Sequence, residues 1–189
     1  MEIRSFLAFE LPIEIKNMIS AVSENARKTS LDVRWVNAAN IHLTIVFMGS
    51  VPEEHIGSIG NSVRDVCQGY GPFNIMAKGL GLFGSRRNPR VLWIGLGGDI
   101  DRMSYFRNDL QKGLKPFGIK EEKRRFSPHL TLGRFRKGAK TGAHVDDLLS
   151  KYQDLKSPEC KLNQLVLFKS DLKPGGAVYT RLGAWPLNG

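Results

Sequence analysis

Two similar stretches decide the interpretation of this sequence: residues 41–47 read IHLTIVF, and residues 128–134 read PHLTLGR. Both contain a His-Leu-Thr-apolar core, and their histidines, His42 and His129, lie 87 positions apart. The chain has four histidines in all, so two His-x-Thr pairs arise by chance in roughly a few of a thousand such sequences. The similarity is interpreted either as an ancient duplication or as coincidence, and its rarity makes the pair a signal for function.

Each stretch is expected to form a strand with a polar and an apolar face. Successive side chains of a strand point to opposite faces, so His42 and Thr44 share one face. The other face of that strand is expected to carry Leu43, Ile45 and Phe47. The same alternation separates His129 and Thr131 from two leucines. If the polar faces meet, two imidazoles and two hydroxyls surround one cavity.

This set of side chains suits in-line displacement at a phosphodiester. One neutral imidazole takes a proton from the attacking water, and one protonated imidazole donates a proton to the departing ribose oxygen. Histidine titrates near neutral pH, so both forms are accessible. The hydroxyls of Thr44 and Thr131 would bind the non-bridging phosphate oxygens, and nearby cations would offset the developing charge. The scheme requires neither a metal ion nor a cofactor.

The paired stretches resemble the HxTx motifs of the 2H phosphoesterase superfamily. The surrounding residues are similar to its 2′-5′ RNA ligase branch. The matching segments are 4–9 (RSFLAF), 33–36 (VRWV), 47–49 (FMG), 90–93 (RVLW) and 126–129 (FSPH). The resemblance therefore covers most of the chain, and both motifs are intact.

The resemblance implies a bilobal α+β fold with pseudo-two-fold symmetry, in which the motifs face each other across a cleft. It also implies hydrolysis of RNA 2′,3′-cyclic phosphates to 2′-phosphates, and in some members 2′-5′ joining of tRNA halves. By this analogy His42 is the proton donor to the leaving 3′ oxygen, and His129 is the base that activates water. The residues themselves leave these two roles interchangeable.

The remaining sequence predicts a single unit, residues 1–189, made of two interleaved lobes. Strands are predicted at 3–11, 33–36, 40–47 (ended by Gly49), 72–82, 90–96, 129–135, 161–169 and 177–185. Helices are predicted at 13–29, from Pro52, from Asp99 and around 145–152, on the spacing of apolar residues. Interleaved strands and helices also suit a parallel sheet, but no Gly-rich phosphate loop follows a strand. We therefore expect an α+β fold with two antiparallel sheets.

Composition narrows the class of protein. The hydrophobic content is 41%, and the net charge is +10, which favours anionic partners such as nucleic acid without naming one. No apolar run approaches the roughly 20 residues that span a bilayer, and the opening residues show no signal-peptide pattern. The two cysteines, Cys67 and Cys160, are far apart and fit a reducing compartment. We expect a cytoplasmic monomer that does not bind membranes.

Several basic and aromatic residues are further candidates for binding RNA. Lys123, Arg124 and Arg125 belong to a basic segment, residues 120–140, that flanks the second motif and is either a backbone track or a solvated face. Strict alternation places Arg134 opposite His129, although a bulge at Gly133 would turn it toward the phosphate. Phe83, in an expected Gly-rich loop at 79–85, is a candidate for stacking on a terminal base.

Two other functions remain open from the sequence. A non-catalytic RNA-binding module would use the basic face and the histidines for phosphate contact alone. A phosphodiesterase for small cyclic nucleotides would keep the chemistry and change the substrate. His55 and His144 have no comparable partner and are expected at the surface or at helix ends, and their spacing predicts no metal site.

Overall fold

The computed structural model describes residues 1–139, 142–174 and 176–189. The strands in these ranges are β1 (Glu2–Phe9), β2 (Val33–Trp35), β3 (Leu43–Pro52), β4 (Phe73–Ser85), β5 (Asn88–Gly98), β6 (His129–Phe135), β7 (Cys160–Leu162), β8 (Gln164–Lys173) and β9 (Gly176–Pro186). The α-helices are α1 (Ile13–Arg27), α2 (Ile56–Gln68), α3 (Ile100–Leu114) and α4 (Gly142–Lys151).

The strands form two antiparallel sheets, in the orders β3-β1-β8-β9 and β2-β6-β5-β4-β7. The chain passes from one sheet to the other after β1, β2, β3 and β7, so neither sheet comes from one continuous segment. This architecture confirms the α+β class and the two antiparallel sheets predicted from the sequence. The alternative of a parallel α/β sheet is excluded.

One continuous apolar core joins the helices to both sheets. At its centre Phe9 of β1, Phe73 of β4 and Phe106 of α3 are fully buried, with ring centroids 5.3 to 6.1 Å apart. Each ring contributes roughly 1.5–3 kcal/mol by leaving water. Because one ring comes from each sheet and one from a helix, these contacts fix the two sheets relative to each other. The sheet faces that are turned away from this core are free to form a cleft.

The helices follow the predicted apolar spacing. In α1 the side chains of Ile15, Ile19, Val22 and Ala26 form one buried stripe, as expected for an amphipathic helix. Asp99 precedes α3, as predicted, but its carboxylate does not cap that helix. It accepts a hydrogen bond from the Asn74 backbone N–H at 2.8 Å. None of the described helices is both long and apolar enough to cross a membrane.

Both motif strands contain a β-bulge at the same point of the motif. In β3 the extra residue is Ile45, because its two neighbours pair with consecutive residues of β1. In β6 the extra residue is Leu132, because its two neighbours pair with consecutive residues of β5. An extra residue reverses the alternation of side chains beyond it. The faces predicted by strict alternation therefore hold as far as Ile45 and Leu132, which are buried as expected, and are reversed beyond them.

The bulge corrects the predicted position of Phe47. That side chain was expected on the apolar face with Leu43 and Ile45, but it is 51% exposed and lies on the face of His42. Both ends of this strand also differ from the predicted range, 40–47. His42 immediately precedes β3 and follows a 3₁₀ turn, and the strand continues past Gly49 to Pro52. Gly49 adopts a positive φ of 74° beside a second register shift, so it bends the strand without ending it.

Candidate active site

The two motif histidines make the same backbone hydrogen bond. His42 Nδ1 lies 2.7 Å from the carbonyl oxygen of Asn40, and His129 Nδ1 lies 2.8 Å from that of Ser127. A carbonyl oxygen can only accept, so Nδ1 carries the proton and donates in both rings. In the neutral form of each ring, Nε2 then holds the lone pair. Each imidazole is thereby prepared to take or give a proton through Nε2.

The His42 ring is held by aromatic side chains of the four-stranded sheet. It stacks on Phe6 at 4.6 Å between centroids and meets the edge of Tyr179 at 5.2 Å. Phe6 belongs to a small apolar cluster on this sheet, together with Ala8, Val166 and Phe168. Burial lowers the pKa of His42 below its ordinary value, and the hydrogen bond to Asn40 opposes that shift.

The His129 ring has a different neighbourhood on the five-stranded sheet. It contacts Phe83 edge-on at 4.7 Å. Burial lowers the pKa of His129, the hydrogen bond to Ser127 raises it, and the positive charge of Arg134 lowers it further. The two imidazoles thus share a tautomer and a direction of pKa shift, but only His129 has a cation among the causes of its shift.

Both threonines of the motifs stand on the same side of their strands as the histidines. Thr44 is exposed and Thr131 is half-buried, and both line the cavity that also contains His42 and His129. Neither hydroxyl makes a hydrogen bond within the described part of the chain. Their O–H groups are therefore available to a ligand.

The four motif side chains line one open cavity of about 1320 Å³. Its basic lining residues are Arg90, Arg107, Lys120, Arg124, Arg125, Arg134, Arg136 and Lys137, against the acidic residues Glu121 and Glu122. All of these charged residues come from β5, α3, β6 and the segments that flank β6. The lining residues of β3, β9 and the turn before β3 carry no Lys, Arg, Asp or Glu. The cavity has one cationic wall and one neutral, partly aromatic wall.

Arg134 lies on the cavity side of β6. The bulge at Leu132 returns the side chain of Arg134 to the face of Thr131. Of the two predicted alternatives, the bulge that turns Arg134 toward the cavity is correct, and strict alternation is wrong. Gly133 is required there, because a Cβ atom would lie 2.3 Å from Cγ1 of Val33. Arg134 forms no ion pair within the described residues. Its guanidinium is free to bind an anion.

The other predicted basic residues differ in whether they line the cavity and whether an acidic residue pairs with them. Arg124 and Arg125 line the cavity, whereas Lys123 does not. Arg124 is held by the Glu122 carboxylate, with its Nε donating at 3.0 Å, and this contact lowers the pKa of Glu122 to about 2. Arg125 has no such partner among the described residues. Lys140, at the end of the basic segment, lies outside the described residues.

Phe83 belongs to β4 and not to the loop that was expected at 79–85. Gly81 and Gly84 of this segment are strand residues next to a close neighbour: a Cβ atom on Gly81 would lie 2.3 Å from the Trp93 ring, and one on Gly84 would lie 2.5 Å from the carbonyl oxygen of Asn88. Phe83 is half-buried and lines the cavity beside His129. Its ring is within reach of a ligand at that imidazole.

Two features of the site were missed in the sequence. Arg107 of α3 is buried, and its guanidinium donates to the carbonyl oxygens of Glu122 and Arg124 at 2.9 and 3.2 Å, which anchors the basic segment. Tyr179 of β9 lines the cavity, and its hydroxyl makes no hydrogen bond within the described residues. Neither residue belongs to a motif, although the position of Arg107 on the apolar face of a predicted helix was a signal.

Histidines outside the motifs take no part in the cavity. His55 lies in a 3₁₀ turn before α2, packed against Phe117 at 5.9 Å, and His144 is exposed on α4. Within the described residues, no three His, Cys, Asp or Glu side chains are grouped so that they could hold a metal ion.

Comparisons with known proteins agree on one family. The family model described as LigT like phosphoesterase matches residues 9–93 and 98–179. A protein of Methanothermobacter thermautotrophicus named RNA 2′,3′-cyclic phosphodiesterase is 31% identical over 190 residues, covering 99% of this chain and 100% of its own. One of the same name from Methanocaldococcus jannaschii is 31% identical, covering 96% of this chain and 99% of its own.

Solved structures share the fold. A protein of Thermus thermophilus superposes with a TM-score of 0.80 at 24% identity, covering 98% of both chains. Escherichia coli LigT in complex with 3′-AMP superposes with a TM-score of 0.77 at 24% identity, covering 100% of both chains. At this level of identity the structural similarity establishes the architecture alone.

Proposed function

This chain belongs to the LigT like phosphoesterase family, and we propose that it hydrolyses the 2′,3′-cyclic phosphate at the end of an RNA to a 2′-phosphate. The observation that carries the proposal is the pair of imidazoles, His42 and His129, that line one cavity with the same Nδ1 hydrogen bond to a carbonyl oxygen. Near-full-length relatives bear the name of this activity.

The chemical step is an in-line displacement at phosphorus. A water oxygen attacks the phosphorus atom, and its proton passes to Nε2 of the neutral His129. The bond from phosphorus to the ribose 3′ oxygen breaks, and Nε2–H of the protonated His42 gives its proton to that oxygen. The phosphate remains on the 2′ oxygen. The two histidines have then exchanged protonation states, and solvent restores them.

The surroundings of the histidines support these roles. Arg134 disfavours a positive charge on His129, which suits a base that must be neutral before the reaction. No cation is among the causes of the pKa shift of His42, so its protonated form is opposed by burial and not by a neighbouring positive charge. The same assignment follows from the family resemblance.

The remaining site residues are proposed to hold the substrate. The hydroxyls of Thr44 and Thr131 and the guanidinium of Arg134 would bind the non-bridging phosphate oxygens, where negative charge accumulates in the transition state. Phe83 would stack on the terminal base beside His129. Arg124, Arg125 and Lys123 would contact more distant backbone phosphates, and the free Arg125 is expected to contribute more than the Glu122-paired Arg124.

The mechanism uses no metal ion, and this determines the experiment. An oligonucleotide ending in a 2′,3′-cyclic phosphate is incubated with the protein in excess EDTA, and the 2′- and 3′-phosphate products are separated. We expect only the 2′-phosphate. His42→Ala and His129→Ala should each reduce turnover by about 100- to 10,000-fold while RNA binding survives. His144→Ala, on an exposed histidine of α4, is the matched control.

Three outcomes would contradict the proposal. Salt-sensitive RNA binding without hydrolysis under any condition would identify a non-catalytic RNA-binding module. Activity that disappears with EDTA would contradict the metal-free mechanism. Equal turnover of a cyclic mononucleotide and an RNA would favour small nucleotides, whereas the long cationic wall favours a polynucleotide.

The same site is proposed to join RNA ends when a 5′ hydroxyl replaces water. The 5′ oxygen attacks phosphorus, the 3′ oxygen leaves, and a 2′-5′ linkage results, with the same two proton transfers. tRNA halves supply both groups. A joined product from a cyclic-phosphate half and a 5′-hydroxyl half, absent with His129→Ala, would support this reaction.

We further propose that the protein acts as a monomer with a single domain. Both walls of the cavity come from one chain, and the two lobes are interleaved around one core, which supports a single domain over residues 1–189 and a monomer. Cys67 and Cys160 are free thiols, which fits the reducing cytoplasm. Sedimentation at several protein concentrations tests the monomer, since a concentration-dependent mass would contradict it.

A further inference from the structure

Phe47 is a large apolar side chain that the fold leaves exposed inside the cavity. It is 51% exposed, whereas its strand neighbours Val46 and Met48 are buried. The bulge at Ile45 returns Phe47 to the face of Thr44, so the ring stands on the cavity wall formed by β3. An aromatic ring exposed beside a phosphate-binding site is a surface on which a nucleobase can stack.

A cation accompanies this ring. The Arg4 guanidinium of the adjacent strand β1 lies over Phe47, with Cζ 4.6 Å from the ring centroid. Arg4 is exposed and makes no ion pair within the described residues. Half of the Phe47 surface remains open with Arg4 in place. The pair therefore offers an aromatic surface and an uncompensated positive charge together.

The position of the pair fits a neighbouring nucleotide. Phe47 follows Thr44 by three residues, and because a strand rises about 3.3 Å per residue the two lie roughly 10 Å apart, or less with the bulge. That span is comparable to the reach of one extended nucleotide. The scissile phosphate is proposed to lie at Thr44 and Thr131, with the terminal base toward Phe83 on the opposite wall. Phe47 is thus too remote for the terminal phosphate itself.

We propose that Phe47 and Arg4 form a second nucleotide subsite. It holds the base of the nucleotide before the terminal one, together with the phosphate that connects these two nucleotides. This inference rests on the proposed cyclic phosphodiesterase activity and refines its substrate to chains of at least two nucleotides. The base stacks on Phe47, and the Arg4 guanidinium pairs with the connecting phosphate. A nucleoside cyclic phosphate fills the reaction centre and leaves this subsite empty.

The test compares three substrates that end in a 2′,3′-cyclic phosphate: a nucleoside, a dinucleotide and a dinucleotide whose first residue is abasic. For the unaltered protein we expect kcat/KM to rise about tenfold from the nucleoside to the intact dinucleotide, with a smaller rise for the abasic one. Phe47→Ala should remove the advantage of the intact over the abasic dinucleotide. Phe47→Trp should restore it, and Arg4→Gln should reduce the advantage of both dinucleotides over the nucleoside.

Tyr105 provides the matched control, because it is 68% exposed on α3 outside the cavity. Tyr105→Ala should leave all the ratios unchanged. The subsite is overturned if the unaltered protein treats intact and abasic dinucleotides alike, or if Phe47→Ala lowers kcat/KM for all three substrates by the same factor. The same ratios measured as Kd for the 2′-phosphorylated products test the subsite even without turnover. Failure of the subsite is thereby separated from failure of the proposed activity.

Discussion

The two motif strands have matching backbones and different surroundings. Each presents a histidine whose Nδ1 donates to a carbonyl two residues earlier, then a threonine, then a bulge. Five residues after each histidine stands Phe47 on one strand and Arg134 on the other. The repeated backbone gives the two imidazoles the same tautomer, and their unequal neighbours are the basis for the different roles that we propose for them. The two strands therefore differ in the side chain next to the histidine and not in the backbone that holds it.

The strongest single test of this asymmetry is the removal of Arg134. Arg134→Gln should lower kcat/KM by about 100-fold, because a cation at the developing phosphate charge is lost. The positive charge of Arg134 lowers the pKa of His129, so its removal raises that pKa. The acidic limb of the pH profile, which requires neutral His129, should move to higher pH, and the alkaline limb set by His42 should stay. Arg64→Gln, on the surface of α2, is the control for charge alone.

The bulge of β6 is tested through Gly133. A Cβ atom there would lie 2.3 Å from Val33, so Gly133→Ala should lower the free energy of unfolding by about 1–3 kcal/mol. Because the bulge directs Arg134 inward, kcat/KM should also fall, by about tenfold. Gly57→Ala in α2 meets no atom within 4 Å and should stabilise the protein by up to about 1 kcal/mol. Full activity of Gly133→Ala would contradict the role of the bulge.

The surroundings of His42 are tested through Tyr179, whose ring contacts the imidazole. Burial raises the pKa of its phenol, and the charges of Arg134 and Arg4 oppose the shift, so the hydroxyl is a neutral donor across the assay range. Tyr179→Phe keeps the ring against His42 and removes the hydroxyl. We expect kcat/KM to fall about fivefold, because one hydrogen bond from this hydroxyl to the substrate is lost. Steady-state kinetics at several pH values measure this. A larger loss with a displaced alkaline limb would instead indicate that Tyr179 positions His42.

The smallest effects concern the cationic wall. Arg125→Ala should flatten the dependence of log Kd on log salt by about 0.7, the value for one phosphate of a single strand. Arg124→Ala should change it less, because Glu122 already neutralises that guanidinium. Binding of a cyclic-phosphate RNA to the His129→Ala variant over a salt series measures both slopes. Equal slopes for the two variants would show that the contact with Glu122 does not weaken the binding of Arg124 to RNA.

The predictions that succeeded are those that depend on local spacing. Period-two alternation placed each histidine beside its threonine, and the spacing of Ile15, Ile19 and Val22 located the buried face of α1. The antiparallel sheets followed from the lack of a phosphate loop after any strand. The faces of the strands and helices follow from a few consecutive residues, so they can be inferred without knowing the partners of a strand.

The predictions that failed depend on contacts between distant segments. The bulges at Ile45 and Leu132 exist only in relation to β1 and β5, so the face of Phe47 was predicted wrongly and that of Arg134 stayed open between two alternatives. The segment around Gly81 was interpreted as a loop because the Trp93 ring, which leaves no room for a side chain at Gly81, belongs to a different strand. Tyr179 reaches the site through sheet pairing alone, which no motif records.

We propose that His42 donates a proton to the leaving oxygen while His129 accepts one from water. It is tested most directly by a substrate in which sulfur replaces the bridging 3′ oxygen, because a thiolate leaves without protonation. On this substrate His42→Ala should recover to within about tenfold of the unaltered protein, whereas His129→Ala should remain impaired by about 100-fold or more. Recovery of His129→Ala alone, or equal impairment of both variants, would contradict the account.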